Sequence, residues 1–349
     1  MTFVGPAYDD PAFDDSPIDP DLVAAGAWDV PRYGSGDTLG SYNEVTPEAR
    51  ARAWASIDPS RPVATYSLGE TLTNGYPAWG TRAYHQHLVV SGYTPPPGYT
   101  GEVLRPEPFS RSRMVSFEER VTATYNMASK INGLLHVACA NVAYGGRRVP
   151  ELVASHGVTD LGVDTWGPPL LTRGFVVDVL ALKVAQGATD ALDDDGAGTA
   201  ILRGDYRITM DDLAASIERQ QLPAFEPGDA VLLRTGWVRT ARTDGDRYLA
   251  VSPGPHLRET RWLAAHRLSI IGIDAWHFGV TDRAYTAGYV GSCHIELSVH
   301  HGIRFGEGLW LEDVAAAGVD RFVLCHNPLN AVGAVSSSSP ITAIANPSA

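Results

Sequence analysis

Twelve residues, 125–136, concentrate side chains that could do chemistry: Asn126, Ser129, Lys130, Asn132 and His136. An imidazole can move a proton near neutral pH, and an ammonium can hold developing negative charge. The set is poor in metal ligands. A divalent ion takes neutral imidazoles and carboxylates whose lone pairs point inward. Lysine offers donors only, and asparagine a neutral carbonyl oxygen. Elsewhere Cys293 adjoins His294, a nucleophile beside a base in residue type. Cys139, Cys293 and Cys325 are nevertheless odd in number, widely spaced and without a CxxC pattern. They make neither a disulfide framework nor a zinc motif and are expected as buried free thiols.

The elements that must position these groups read as α/β. Thr46 caps a helix that Pro47 opens and that runs over 49–57. Residues 61–68 alternate as a strand, and 74–80 with 84–87 form an aromatic, loop-like stretch. The Pro-rich run 94–98 is a loop that suits a lid or a subunit contact. Residues 114–125 lead in extended form to the reactive stretch, with tight turns at Gly133, Gly145 and Gly146. Later come a buried strand at 173–179, an acidic solvated loop at 190–198 and a helix capped at Thr209 and running to about Gln220. Residues 227–237 give a turn, a strand and a loop, and 255–266 an amphipathic helix. A strand over 268–276 ends on Asp274 and Trp276, and another covers 321–326. His300 and His301 are expected at the surface.

A chain of 349 residues with 44% hydrophobic and 19% charged content is globular in composition. Its net charge of −13 and lack of basic patches exclude a nucleic-acid partner. No apolar run is long enough to span a bilayer, and the acidic, Pro-rich start is no signal peptide, so a cytoplasmic location is expected. Residues 1–27 read as a flexible or surface-wrapping N-terminal arm and 28–349 as one catalytic domain.

The 125–136 stretch resembles the signature of the cyclase family, which includes kynurenine formamidase-like and isatin hydrolase-like metal-dependent hydrolases. In that signature, H-x-G-T-H-x-D-x-P-x-H, two His and an Asp hold a metal and the last His is an acid/base. Here the positions read Asn126, Ala128, Ser129, Lys130, Asn132 and His136. Further similarity lies at 28–48, at 173–178, at Pro227-Gly228-Asp229 through Arg234-Thr235-Gly236-Trp237, at His294 and Glu307, and at 336–344. The resemblance implies a mixed, partly barrel-like β-sheet core flanked by helices, and a homodimer or homotetramer. It also places His294 and Glu307 where the family completes its metal site. One imidazole and one carboxylate are too few for tight zinc or manganese binding, so no metal is expected, and Lys130 paired with Glu307 stands in for the ion.

The expected catalytic set is therefore His136, Lys130, Glu307, His294 and Asn132, with Lys130 and Asn132 clamping an oxyanion. Asn126, Trp79, Tyr144, Asp274 and Trp276, with Phe278 nearby, are expected around an apolar small-molecule substrate. The implied function is metal-independent chemistry on a carbonyl compound: ring closure, dehydration, isomerisation or lactone opening. Two other readings compete. One is a zinc or manganese amide or lactone hydrolase drawing ligands from His85, His87 or His277. The other is a non-catalytic ligand-binding homologue.

Overall fold

The computed structural model describes residues 5–28, 32–34 and 36–348; residues 1–4 of the arm and Asp29, Val30, Pro31 and Ser35 of the 28–48 segment lie outside them. Nine strands form one sheet: β1 Ala64–Ser67, β2 Lys130–Asn132, β3 Leu170–Asp178, β4 Ala230–Arg234, β5 Ile270–Ile273, β6 Arg304–Glu307, β7 Arg321–His326, β8 Ser336–Ser337 and β9 Thr342–Ala345. Their order is β1-β9-β7-β3-β4-β5-β6-β2-β8. β3 to β6 are parallel, and every outer pairing is antiparallel. The sheet is mixed and curls into a half-barrel flanked by helices, as expected.

Both faces of the parallel strands are buried, which is why they read as unbroken apolar runs. Alternation divides them: Phe175, Val177, Val231, Leu233, Ile271 and Ile273 pack with the helices on one face. Val176, Ala230, Leu232 and Ile270 pack into the opposite layer. Phe305 belongs to the first face and Ile131 to the second. Glu307, two residues after Phe305, and Lys130 and Asn132, on either side of Ile131, therefore project from the first face.

The 28–48 segment is structural where it is described. Arg304, fully buried on β6, donates to the carbonyls of Leu39 (2.6 Å) and Thr38 (3.1 Å). Its guanidinium lies over Tyr42 and Trp166, 4.2 and 4.8 Å from their ring centroids. Gly40 has φ of 56°, and a Cβ there would stand 2.1 Å from the Gly302 carbonyl oxygen, so only glycine fits. These contacts fasten the strand that carries Glu307.

One expectation changes. The acidic run 190–198 belongs to a hairpin of Leu192–Asp194 with Ala200–Leu202, and Asp195 is buried against Arg239 at 3.1 Å. Of a flexible or a surface-wrapping arm, the described residues form the second. Ile18 and Val23 join Cys139, Val142 and Leu257 in an apolar cluster, and Asp15 bonds His256 and Arg207.

Candidate active site

The reactive stretch enters the sheet through a turn. Ala128 has φ of 48°, a left-handed conformation rare outside glycine. Ser129 Oγ donates to the Gly308 carbonyl at 2.5 Å and accepts from the Glu70 amide at 2.7 Å. β2 then pairs antiparallel with β6, setting Lys130 opposite Glu307 and Asn132 opposite Phe305, while Ser336 of β8 faces Asn132 from the other side. Directly opposed side chains share a face, so Lys130 and Glu307 touch although they lie far apart in the chain.

Lys130 Nζ is 3.1 Å from Glu307 Oε2 and donates to the Trp276 carbonyl at 3.2 Å, with both side chains 3% exposed. Burial pushes the ammonium below its ordinary value, and the Glu307 charge opposes that shift. Burial would raise the Glu307 carboxyl, but the Lys130 charge first and His294 next hold it well below the usual range. The carboxylate is engaged at both oxygens. Oε2 also accepts from Asn132 Nδ2 at 2.8 Å, and Oε1 accepts from the Phe278 amide at 2.6 Å and lies 3.1 Å from His294 Nε2.

A carboxylate can only accept, and this sets the polarity of a relay. Asn132 turns its amino group to Glu307, so its carbonyl oxygen accepts from Asn126 Nδ2 and from Ser336 Oγ. The two N–H groups of Asn126 Nδ2 are shared among three neighbours: Asn132 Oδ1, Ser336 Oγ (2.8 Å) and, most distant, His136 Nδ1 (3.3 Å). An amide nitrogen cannot accept a bond from that ring nitrogen. Nδ1 of His136 is therefore assigned as acceptor, and the proton of the neutral ring lies on Nε2. His277 has the reverse tautomer. Its Nδ1 is 3.0 Å from the Gly279 carbonyl, which can only accept, so Nδ1 holds the proton and Nε2 a lone pair. Burial lowers both imidazoles to about 3. His277 stacks on His294 at 4.3 Å, and His294 lies 6.4 Å from His136.

His136, His277, His294 and Glu307 border a cavity of about 380 Å³ together with Trp79, Arg82, Trp276 and Val290, outside the carboxyl ends of the parallel strands. A crevice of about 10 Å³, room for a single oxygen atom, adjoins it and is lined by Lys130, Asn126, Trp79, Arg82 and Trp276. Asn126 Oδ1 is buried with no hydrogen-bond partner among the described residues. Lys130 spends two of its three N–H groups on Glu307 and Trp276, leaving one.

The structure thus gathers His136, Lys130, Glu307, His294, Asn126, Trp79 and Trp276 around one space. Three expected site residues are placed differently. Asn132 is fully buried, and both ends of its amide are used within the protein, so it relays polarity and clamps no oxyanion. Asp274 turns away to accept from the amides of Thr235 (2.9 Å) and Gly236 (2.7 Å), and burial raises its carboxyl to about 7. Tyr144 is buried under Gly302, and its hydroxyl donates to Asp37 at 2.9 Å. Phe278 contributes its backbone amide to Glu307 while its ring packs in the core. Sequence reasoning missed Arg82 altogether; its one signal was a lone cation in the aromatic 74–87 stretch.

A metal does not fit the donor set of this cavity. The Lys130 ammonium occupies the place beside Glu307 where an ion would have to bind, and two cations at such range repel. Among the described residues, the group of three ligand atoms within 4.8 Å is that of Glu296, His300 and His301, not a set drawn from the cavity. His300 and His301 are accordingly half-buried partners of Glu296 rather than free surface residues. His85 and His87 sit on an outlying strand, Tyr84–Ser91, and His277 supplies a single lone pair.

The family model described as "Putative cyclase" matches residues 66–280. A crystal structure described as a novel cyclase is similar over 94% of this chain and 99% of its own, with 22% identity and a TM-score of 0.72. Isatin hydrolase A from Ralstonia solanacearum is 14% identical over 81% of this chain and 92% of its own, with a TM-score of 0.54. An isatin hydrolase bound to the product analogue thioisatinate is 14% identical over 87% of this chain and 100% of its own, with a TM-score of 0.55. At these identities the likeness is one of fold. No curated protein is significantly similar to the chain.

Proposed function

The chain belongs to the cyclase family, and from that premise we propose an enzyme that acts on a carbonyl-bearing small molecule with a lysine in place of a metal. The observation that carries this reading is the buried Lys130–Glu307 pair, which puts a fixed positive charge at the foot of a one-oxygen crevice.

In this reading the substrate carbonyl oxygen enters the crevice. The remaining Lys130 N–H, on a buried ammonium, holds it as negative charge develops. The His277 Nε2 lone pair takes a proton from the carbon next to that carbonyl and, as the imidazolium, returns it at another atom, while His136 Nε2–H donates a hydrogen bond to the substrate without losing its proton. Burial keeps both rings weakly basic, so the proton removed must be one that the Lys130 charge has made acidic. His294, stacked on His277 and beside Glu307, holds the base in place. Isomerisation, dehydration and ring closure through an enolate use these tools directly. Lactone opening uses them with a water activated by His277.

The test is turnover of activated lactones such as dihydrocoumarin, and of β-dicarbonyl compounds, by protein dialysed against chelator. Undiminished turnover that Lys130→Met abolishes is the expected result. Stoichiometric zinc or manganese, with activity lost on chelation and restored by the ion, would overturn it.

A further inference from the structure

We propose that Arg82 is the anion-recognition residue of this cavity and that the substrate carries a carboxylate beside an apolar, ring-sized body. The inference deepens the reading above and rests on the cavity being the reacting site.

Arg82 lies where three spaces meet: the 380 Å³ cavity, the Lys130 crevice and an outer cleft of about 570 Å³. Its guanidinium stands 5.5 Å from the ring centroid of Trp79. Among the described residues it makes no hydrogen bond and no ion pair. Arg50, Arg105 and Arg258 are also half-buried with no side-chain hydrogen bond or ion pair among the described residues, but they line none of these three spaces. Other half-buried arginines are bonded. Arg173 bonds Asp229, and Arg234 bonds both Asp178 and Glu312. A half-buried guanidinium with its fork of donors unused is matched in geometry by a carboxylate, which it can grip through two parallel bonds.

The charges facing the cavity give the same answer. Lys130 and Arg82 are positive, Glu307 is negative, and His136 and His277 are neutral at pH 7. Glu307 is already engaged by Lys130, Asn132 and the Phe278 amide, with His294 Nε2 3.1 Å away. Asp244 and Asp246 border the outer cleft, and neither pairs with Arg82. One positive charge is thus unanswered, in a chain whose net charge is −13. Trp79, Trp276, Val137 and Val290 supply apolar walls, and the volume suits a small ring with its polar group oriented by few contacts.

The experiment titrates the full chain with benzoate and with its neutral counterpart benzamide, followed by the fluorescence of Trp79 and Trp276. Wild-type protein should bind benzoate the more tightly. Arg82→Gln should weaken benzoate by about 10- to 100-fold, the range for a hydrogen bond to a charged group, and leave benzamide unchanged. Arg82→Lys should fall between them. Because Arg82 bonds no protein group, the variants should melt with wild-type protein, and the melting curve checks this. The inference is overturned if both probes bind alike, if neither binds at millimolar concentration, or if Arg82→Gln leaves benzoate within about threefold. It is overturned too if Lys130→Met rather than Arg82→Gln removes benzoate binding. Binding needs no turnover, so this result stands or falls apart from that of the chelation test.

Discussion

His294 and Glu296 stand two residues apart on one helical segment and face opposite ways, each into a cluster of histidine, glutamate and a basic residue. Behind Glu296 both carboxylate oxygens are answered. Its Oε1 meets His300 Nδ1 at 2.8 Å and His301 Nε2 at 3.2 Å, and its Oε2 meets Arg261 at 3.1 Å. Arg261 in turn is bonded to Asp14 and Ser16 of the arm. On the His294 side the accounts stay open. Among the described residues, Lys130 keeps an N–H, Asn126 Oδ1 has no partner, His277 presents a lone pair and Arg82 makes no hydrogen bond. Similar residue types therefore build a lock in one place and a site in the other. Buried polar groups are normally satisfied, so the unsatisfied ones separate the two.

The comparison breaks most readily at Lys130. Lys130→Met leaves Glu307 charged and unpaired in the interior and should cost about 3–5 kcal/mol of stability in urea unfolding. Adding Glu307→Gln should recover most of that loss, and if it does not, the ion pair is not what the site rests on. Next come the two cavity histidines. His277→Gln and His136→Gln should each lower turnover by about 10²- to 10⁴-fold, whereas His300→Gln on the other cluster should leave it unchanged. Equal losses in all three would erase the distinction between lock and site.

Acid should tell the clusters apart as well. His136 and His277 are held near 3 by burial, against 6.5 for an ordinary imidazole. Between those values the unfolded chain binds protons that the folded chain refuses, so stability falls as pH drops from 6.5 toward 3. Burial alone would raise Glu296, but its bonds from His300 and His301 outweigh that and hold it below its ordinary 4.5. Its contribution is therefore complete above 4.5 and lost only below it. Melting temperature against pH should show the upper limb flattened by His277→Gln and the lower one by Glu296→Gln. The smallest effect belongs to the lock: His300→Gln should cost about 1 kcal/mol, read as a small fall in the urea midpoint.

Much of the scaffold was legible in the chain. The strands at 173–179 and 321–326 and the capped helix after Thr209 follow from apolar runs and a capping box, and the structure has them within a few residues. The 190–198 stretch was not, because its acidic side chains hid a hairpin whose buried member, Asp195, is answered by a distant arginine. Asp274 and Tyr144 misled for a related reason. A polar residue at a strand end or a turn has two directions to point, and local sequence does not choose between them. Thr235, Gly236 and Asp37 chose, from other parts of the chain.

By itself the sequence determined that Lys130, Asn132 and His136 lie close together in one short stretch whose side chains are poor in metal-ligand atoms. Spacing and the chemistry of donor atoms suffice for that, whereas the strand that turns Lys130 and Asn132 to one face belongs to the fold. Only the tertiary structure decided that Glu307 lies opposite Lys130, that a chain of amides puts the His136 proton on Nε2, and that Arg82 reaches the same cavity with its donors unspent. Those outcomes depend on contacts between segments far apart in the chain. Burial then turns each contact, or the lack of one, into an energy large enough to matter.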